Sequence, residues 1–243
     1  MRLLITRPEP DATALKAHLL AEGHDVLIEP LLTIAFEDAD PIELDGVQAL
    51  IATSRNGVRA LAASPAFDDA QALPLYAVGP GTAATAKALG LSYVIEGPRA
   101  ARDLVTLIAL HAEVNGGPLL YLAGDTLAAD LPGELRRLGF HVLEPVVYAT
   151  RYATTLSPTI VARFQAREIG GVLLLSPRTA RTYAGLIARH GLIEKSRAAL
   201  HLCISAAAAR ELAALAPARI ATAKAPNLQE MLALVARNAP QSH

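Results

Sequence analysis

Short runs rich in Leu, Ile and Val alternate with Ala-rich amphipathic stretches of helical length along most of this 243-residue chain. A parallel sheet covered by helices produces this pattern, because its strands are apolar throughout and each leads into a helix that crosses back over the sheet. The alternation therefore predicts an α/β fold with helices on both faces of parallel sheets. Strands are expected near residues 3–6, 25–28, 49–52, 75–78, 93–95, 119–122, 142–145, 172–175, 200–204 and 220–223. Helices are expected near residues 11–21, 56–63, 81–89, 101–112, 131–138, 179–190, 206–215 and 227–238.

Two extended segments interrupt the alternation. Residues 29–36 (EPLLTIAF) follow a strand and lead into an acidic turn at 37–40 instead of a helix. Residues 146–152 (VVYATRY) are β-branched or aromatic and again follow a strand directly. We expect 31–36 and 147–152 to pair as a two-stranded antiparallel connector.

Such a connector divides the strands into two parallel-sheet domains of about five strands each. The chain would leave one domain, build the second and return to the first. The expected domains are a discontinuous one, 1–30 with 153–243, and an inserted one, 37–146.

Two strand-to-helix junctions occur in similar form in both proposed domains. Residues 53–60 (TSRNGVRA) resemble 175–182 (LSPRTART), and 77–84 (AVGPGTAA) correspond in order to 203–209 (CISAAAA). In both domains a small polar residue precedes the helix. This repetition supports the division into two related halves.

Composition excludes several classes of protein. No apolar stretch reaches the roughly 20 residues that cross a bilayer. The net charge of −1 is spread over interspersed acidic and basic residues, so no basic surface predicts a nucleic-acid or membrane partner. The single cysteine, Cys203, permits no internal disulfide and no cysteine-based metal site. The opening residues are too weakly apolar for a secretory signal, so we expect a cytoplasmic protein.

Small polar residues and glycines collect where strands lead into helices. At the carboxyl ends of parallel strands, helix N-termini offer unpaired N–H groups and partial positive charge to an anion. Six such junctions predict an anion-binding cleft shared by the two domains. Its candidate residues are Thr6, Arg7, Ser54, Arg55, Asn56, Gly79, Gly81, Thr82, Gly124, Ser176, Pro177, Arg178, Thr179 and Ser205. Further arginines that could meet carboxylates are Arg59, Arg99, Arg102 and Arg151.

Other interpretations of these junctions stay open. Each Ser, Thr or Asn could be an ordinary helix cap. Residues 79–84 fit GxGxxA with Glu96 after the next strand, the pattern of a dinucleotide-dependent oxidoreductase. Asp125 could act as a base, bind magnesium or cap the following loop. The seven histidines show no metal-ligand spacing, so no metal is expected.

Tyr148 and Tyr152 flank the returning connector. A tyrosine with an ordinary pKa of about 10 is a neutral donor near pH 7 and can assist the departure of a poor leaving group. Either tyrosine could equally be a half-buried aromatic residue whose packing stabilises the connector.

Taken together, the junctions resemble those of the uroporphyrinogen-III synthase family, over nearly the whole chain. The matching segments are 5–8 (ITRP), 53–58 (TSRNGV), 77–83 (AVGPGTA), 138–140 (LGF), 146–148 (VVY) and 175–179 (LSPRT). The resemblance implies two α/β domains with the linear tetrapyrrole hydroxymethylbilane in the cleft between them. It also implies that no metal or organic cofactor is needed. We expect a monomer, because no long apolar helix face is left without a use within the chain, in transient contact with the preceding enzyme of the pathway.

The chemistry implied by the resemblance is loss of the terminal hydroxyl to an azafulvene, attack at the substituted end of the last pyrrole, and reclosure of a spiro intermediate with that ring reversed. Tyr148 corresponds to the family's tyrosine that assists loss of the hydroxyl, and Ser54, Thr82 and Ser176 to substrate contacts. Family members often carry Gly and Thr where this chain has Ser205 and Ala208. An anion-binding protein without catalysis is the alternative.

Overall fold

The computed structural model describes residues 1–36, 40–97, 101–126 and 130–239. The strands are β1 (Arg2–Ile5), β2 (Asp25–Ile28), β3 (Leu32–Ala35), β4 (Ala49–Ala52), β5 (Leu75–Val78), β6 (Val94–Gly97), β7 (Leu119–Tyr121), β8 (Ala123–Gly124), β9 (Val142–Leu143), β10 (Val146–Tyr152), β11 (Gly171–Leu174), β12 (Leu200–Cys203) and β13 (Arg219–Thr222). The helices are α1 (Asp11–Ala21), α2 (Arg55–Ala62), α3 (Phe67–Ala70), α4 (Gly79–Ala88), α5 (Ala101–His111), α6 (Leu131–Arg137), α7 (Pro158–Gln165), α8 (Pro177–Arg189), α9 (Ile193–Ser196), α10 (Ala206–Arg210) and α11 (Leu228–Asn238). A 3₁₀ turn spans Ala213–Leu215.

The chain forms two compact units. The first comprises Met1–Thr33 and Arg151–His243, and the second comprises Ile34–Thr150. The proposed limits of independently folding domains, 1–30 with 153–243 and 37–146, stay a prediction.

The first unit is built on a five-stranded parallel sheet in the order β13-β12-β11-β1-β2. In β11, Val172 and Leu174 pack into one buried cluster while Leu173 packs into another. Successive side chains of a strand point to opposite faces, so the two clusters lie on the two sides of the sheet. This explains why the strand is apolar without interruption.

The second unit repeats this arrangement with the order β6-β5-β4-β7-β9, all parallel. In β4, Leu50 and Ala52 belong to one buried cluster, and Ala49 and Ile51 belong to the other. The predicted α/β class with two five-stranded parallel sheets is therefore confirmed.

The two sheets have the same strand order if the first unit is read from β11 onward. Strands β11, β12, β13, β1 and β2 then correspond to β4, β5, β6, β7 and β9. The first unit is thus a circular permutation of the second, and the similar junctions in the sequence occupy equivalent positions. The strand order reverses between β4 and β7 and between β11 and β1, the points where ligands bind in open α/β sheets.

A third, small mixed sheet has the order β3-β10-β8. The sequence predicts only the two strands of the connector, whereas β8 adds a third strand parallel to β10. The addition is possible because the chain runs on past β7, so that Gly124 pairs with Tyr148. No helix in the described part of the chain is long and apolar enough to cross a membrane.

Candidate active site

In the second unit, Ser54 lies at the carboxyl end of β4 and caps α2. Its Oγ accepts a hydrogen bond from the Gly57 N–H at 3.1 Å and lies 2.9 Å from the Tyr148 Oη. A Cβ at position 57 would lie 2.9 Å from the Leu122 carbonyl oxygen, so glycine is needed for α2 to start this close to the end of β7. The helix start therefore brings together the serine and tyrosine predicted for the site.

Tyr148 lies half-buried on β10 against Gly124. A Cβ on Gly124 would lie 2.5 Å from the Tyr148 Cζ, which leaves room only for glycine. Asp125 secures the same strand, since its N–H donates to the Tyr148 carbonyl at 3.0 Å and its carboxylate accepts from the Thr150 N–H at 3.1 Å. The structure thus shows Asp125 as an acceptor for the β10 backbone, a role that the sequence analysis did not consider.

A second hydroxyl pair adjoins the first. The Tyr121 Oη lies 2.8 Å from the Thr53 Oγ1, next to Ser54 in the chain. Tyr121 is 3% exposed, and burial raises the pKa of its phenol. The sequence analysis missed Tyr121, although a tyrosine that ends an apolar strand beside a candidate site was a usable signal.

The β5–α4 junction carries the second group of candidates in this unit. Gly79 has φ of +69°, a conformation that favours glycine, and opens α4 directly after β5. Gly81 is exposed, whereas the Thr82 side chain is buried. Access to this junction is therefore mainly through backbone N–H groups.

In the first unit, Ser176 holds the position equivalent to Ser54. Its Oγ caps α8 by accepting from the Thr179 N–H at 3.0 Å, and it lies 2.8 Å from the Thr179 Oγ1. Thr179 is buried, while Arg178 in the first turn is exposed. Ser205 similarly caps α10 by accepting from the Ala208 N–H at 3.3 Å, but that helix is only five residues long.

Thr6 and Arg7, at the end of β1, use their side chains within the first unit. Thr6 is fully buried and donates from Oγ1 to the Leu173 carbonyl at 2.7 Å, which ties β1 to β11. The Arg7 guanidinium pairs with Asp11 at 2.5 Å. The substrate contacts expected of Thr6 and Arg7 stay a prediction. Arg99 lies outside the described residues, as does the Arg102 side chain.

The helices differ in whether their first turn carries an acidic residue, and helices at equivalent positions of the two units agree in this respect. The helices that follow β4 and β5 in the second unit, and β11 and β12 in the first, carry no acidic residue in the first turn. They are α2, α4, α8 and α10. The helices that follow the next pairs of equivalent strands, β6 with β13 and β7 with β1, each carry one acidic residue in the first turn. They are α5, α6, α11 and α1. Acidic side chains stabilise helix N-termini, so their absence at four equivalent starts is consistent with the predicted binding of an external anion there.

Within the described residues no three or more His, Cys, Asp or Glu side chains are grouped to hold a metal ion. The second unit offers a pair of hydroxyls between Ser54 and Tyr148, backed by the pair between Thr53 and Tyr121. Each unit, taken by itself, also has helix N-termini without an acidic residue in the first turn. Such an arrangement can bind carboxylates and donate a proton from a phenol.

A family model described as "Uroporphyrinogen-III synthase HemD" matches residues 13–233. Among solved structures, uroporphyrinogen-III synthetase from Helicobacter pylori is similar with a TM-score of 0.64 at 18% identity, covering 98% of this chain and 100% of that chain. A mutant uroporphyrinogen III synthase from Thermus thermophilus is similar with a TM-score of 0.51 at 17% identity, covering 98% of each chain. At these identities the structures show the shared fold. No curated protein matches the sequence.

Proposed function

Because this chain belongs to the uroporphyrinogen-III synthase family, we propose that it cyclises hydroxymethylbilane to uroporphyrinogen III. The reaction releases water and inverts the last pyrrole ring, which makes the enzyme a cyclising hydro-lyase of tetrapyrrole biosynthesis. The observation that carries this proposal is the Ser54–Tyr148 hydroxyl pair, 2.9 Å apart at the start of α2.

The hydrogen bonds around Ser54 are compatible with donation of the Tyr148 proton to the substrate. Ser54 Oγ accepts from the Gly57 N–H, and either hydroxyl can be the donor between Ser54 and Tyr148. When Ser54 donates its O–H to the Tyr148 Oη, the phenol proton is available. Tyr148 then donates its O–H to the terminal hydroxyl of the substrate. The C–O bond breaks, water leaves and the pyrrole that carried the hydroxymethyl group becomes an azafulvene, which the last pyrrole then attacks through its substituted end. The proton lost from the last pyrrole on ring closure restores the phenol, so the cycle balances without a cofactor.

The substrate carboxylates bind at the helix N-termini that have no acidic residue in the first turn. In the second unit the proposed contacts are Ser54, Arg55, Asn56, Gly79, Gly81, Thr82 and Gly124. In the first unit they are Ser176, Pro177, Arg178, Thr179 and Ser205. Acetate and propionate groups match the positive potential of helix N-termini. Holding a flexible chain in one geometry can lower the barrier by up to about 7–11 kcal/mol, so distributed contacts can direct the product.

We also propose that the protein acts in the cytoplasm as a monomer, in transient contact with the enzyme that supplies hydroxymethylbilane. A net charge of −1 without a polybasic segment supports a small-molecule substrate over a nucleic acid or membrane.

Product analysis tests the proposed function. The purified protein, incubated with enzymatically prepared hydroxymethylbilane, should form the type III isomer faster than spontaneous closure forms type I. Separation of the oxidised isomers gives both rates. An anion-binding protein without catalysis would yield only type I, at the spontaneous rate.

Tyr148→Phe tests the proton donor. Removal of the hydroxyl should slow type III formation about 10²–10⁴-fold, the usual contribution of a general acid, and let type I accumulate. Tyr152→Phe is the matched control, because Tyr152 is an exposed tyrosine of the same strand. If Tyr148→Phe forms type III at the unchanged rate, Tyr148 is not the acid.

A further inference from the structure

Two tyrosines flank the same residue of the central strand in the second unit. Ile51 of β4 is in register with Tyr76 of β5 on one side and with Tyr121 of β7 on the other. All three pack in the same buried cluster, and both tyrosines are 3% exposed. Only Tyr121 uses its hydroxyl on the candidate site, through the 2.8 Å contact with Thr53. The sheet thus holds two similar phenol rings with different hydrogen bonding.

The Tyr121–Thr53 pair lies immediately behind the proposed acid. Thr53 is followed by Ser54, whose Oγ caps α2 and contacts Tyr148. Next to Tyr121, the Leu122 N–H donates to the Ile51 carbonyl at 2.9 Å. The ends of β4 and β7 are therefore joined by a backbone bond and a side-chain bond, on the side from which α2 starts.

We propose that Tyr121 is a positioning residue for the reaction, acting through Thr53 to keep Ser54 directed at Tyr148. This inference rests on the proposed function. A buried phenol that loses its partner is costly, so the pair favours one rotamer of Thr53 and one course of the backbone into α2. Small displacements at a proton-donating group have large effects on rate, since the acid must lie within hydrogen-bond reach of the leaving oxygen.

Loss of either hydroxyl of the pair should reduce turnover without weakening substrate binding. Tyr121→Phe and Thr53→Val each remove one hydroxyl and keep the side-chain shape. We expect each to lower kcat about three- to tenfold, the range of one hydrogen bond, with KM changed less than twofold. The double variant should be no slower than the slower single variant, because both remove the same interaction. Thr53→Ser, which keeps the hydroxyl, should retain the wild-type kcat.

Tyr76→Phe is the matched control, because it removes the same atom from the same layer of the sheet. Its kcat and KM should stay at the wild-type values. Thermal unfolding of every variant confirms folding, and rates are measured only below the lowest transition.

Several results would overturn the inference. One is a fall in kcat that is equal in Tyr76→Phe and Tyr121→Phe, which would indicate a general effect on the sheet. A rise in KM at constant kcat would place Tyr121 in binding, and multiplicative losses in the double variant would show that the two hydroxyls act separately. If the wild-type protein forms no type III isomer, the proposed function fails first and this inference fails with it.

Discussion

The ring of Tyr148 occupies the space that a side chain at position 124 would need, so this position requires glycine. An added Cβ would lie 2.5–2.7 Å from the Cζ, Cε2 and Oη atoms of the tyrosine, which no real contact tolerates. The sequence predicts this glycine as a substrate contact at a strand end, which stays a prediction. The structure gives it a second task, since it determines where the proposed acid lies.

Gly124→Ala should therefore impair the reaction through Tyr148. The ring must shift by about 1 Å or leave its rotamer, so we expect kcat to fall about 10- to 100-fold. Gly185→Ala is the control, because a Cβ at this exposed helical position has nothing within 4 Å. That control should keep full activity and gain about 0.5–1 kcal/mol of stability. Full activity of Gly124→Ala would mean that the ring position is unimportant.

His201 is one of the buried ionisable residues of the first unit. It is fully buried on β12, with its Nε2 3.1 Å from the Tyr183 Oη. Burial lowers the pKa of His201 to about 4, because the charged imidazole loses its hydration. In the unfolded chain it titrates near 6.5, so between about pH 4 and 6.5 the imidazole is neutral in the folded protein and protonated in the unfolded chain.

This shift predicts that the protein loses stability in acid. The contribution of neutral His201 to the free energy of unfolding is complete above pH 6.5. It is lost as the pH falls towards about 4, and the total loss is about 3 kcal/mol. Urea unfolding of wild type and His201→Gln at several pH values in this range measures the difference. The glutamine variant should show the shallower dependence, and parallel curves for the two proteins would contradict the prediction.

At the scale of elements, most strands and helices lie where the alternation of the sequence predicts them. The helix α7 is an exception that the sequence analysis missed, although Ser157 and Pro158 form a recognisable start. Ser157 caps α7 and is itself held by the Glu29 carboxylate, at 2.6 Å from its N–H and 2.8 Å from its Oγ. This contact joins residues 128 positions apart, which a local pattern cannot reveal.

The helices α7 and α8 begin alike and offer a test of the anion-binding N-termini. Both start with Ser-Pro, followed by exposed Thr159 in α7 and exposed Arg178 in α8. Arg178→Glu should raise KM for hydroxymethylbilane at least about tenfold, because it replaces an attraction by a repulsion. Its helix should lose no stability, since an acid at an N-terminus is favourable by about 0.3–1 kcal/mol.

Thr159→Glu is the matched control for that substitution, with the same acid at the same position of a helix outside the proposed site. Its KM should remain at the wild-type value. An equal rise of KM in both variants would indicate a long-range charge effect and remove α8 from the list of contacts.

At the scale of the whole molecule, the chain uses one strand order twice, once in permuted form. The permutation explains why the equivalent junctions at Ser54 and Ser176 lie far apart in sequence yet have the same cap geometry. Related halves with equivalent helix starts suit the proposed substrate, which carries many carboxylates. We expect each unit to contribute contacts of its own.

Hydrogen exchange with uroporphyrinogen III tests this expectation. Binding should slow exchange of the first-turn amides of both α2 and α8, since these N–H groups would gain acceptors. The first turns of α6 and α11 carry acidic residues and should exchange as in the free protein. Protection confined to one unit would show that the other does not bind the product.

The sequence by itself determined the class of the fold, the places of most strands and helices, and the serines that cap α2 and α8. These features depend on residues within a few positions of one another, so apolar periodicity and cap chemistry are sufficient to predict them. The resemblance of the junctions added the family and the role expected of Tyr148, and the match over residues 13–233 confirms the family.

Only the tertiary structure decided the hydrogen-bond partners of the candidate side chains. The Thr6 hydroxyl bonds a residue 167 positions away, Ser54 meets Tyr148 across 94 positions, and Tyr121 meets Thr53 across 68. A hydroxyl at a strand end looks the same in the sequence whether it faces solvent or a buried carbonyl. Its partner is chosen by the packing of distant segments, because a buried polar group must be hydrogen-bonded by whatever the fold brings next to it.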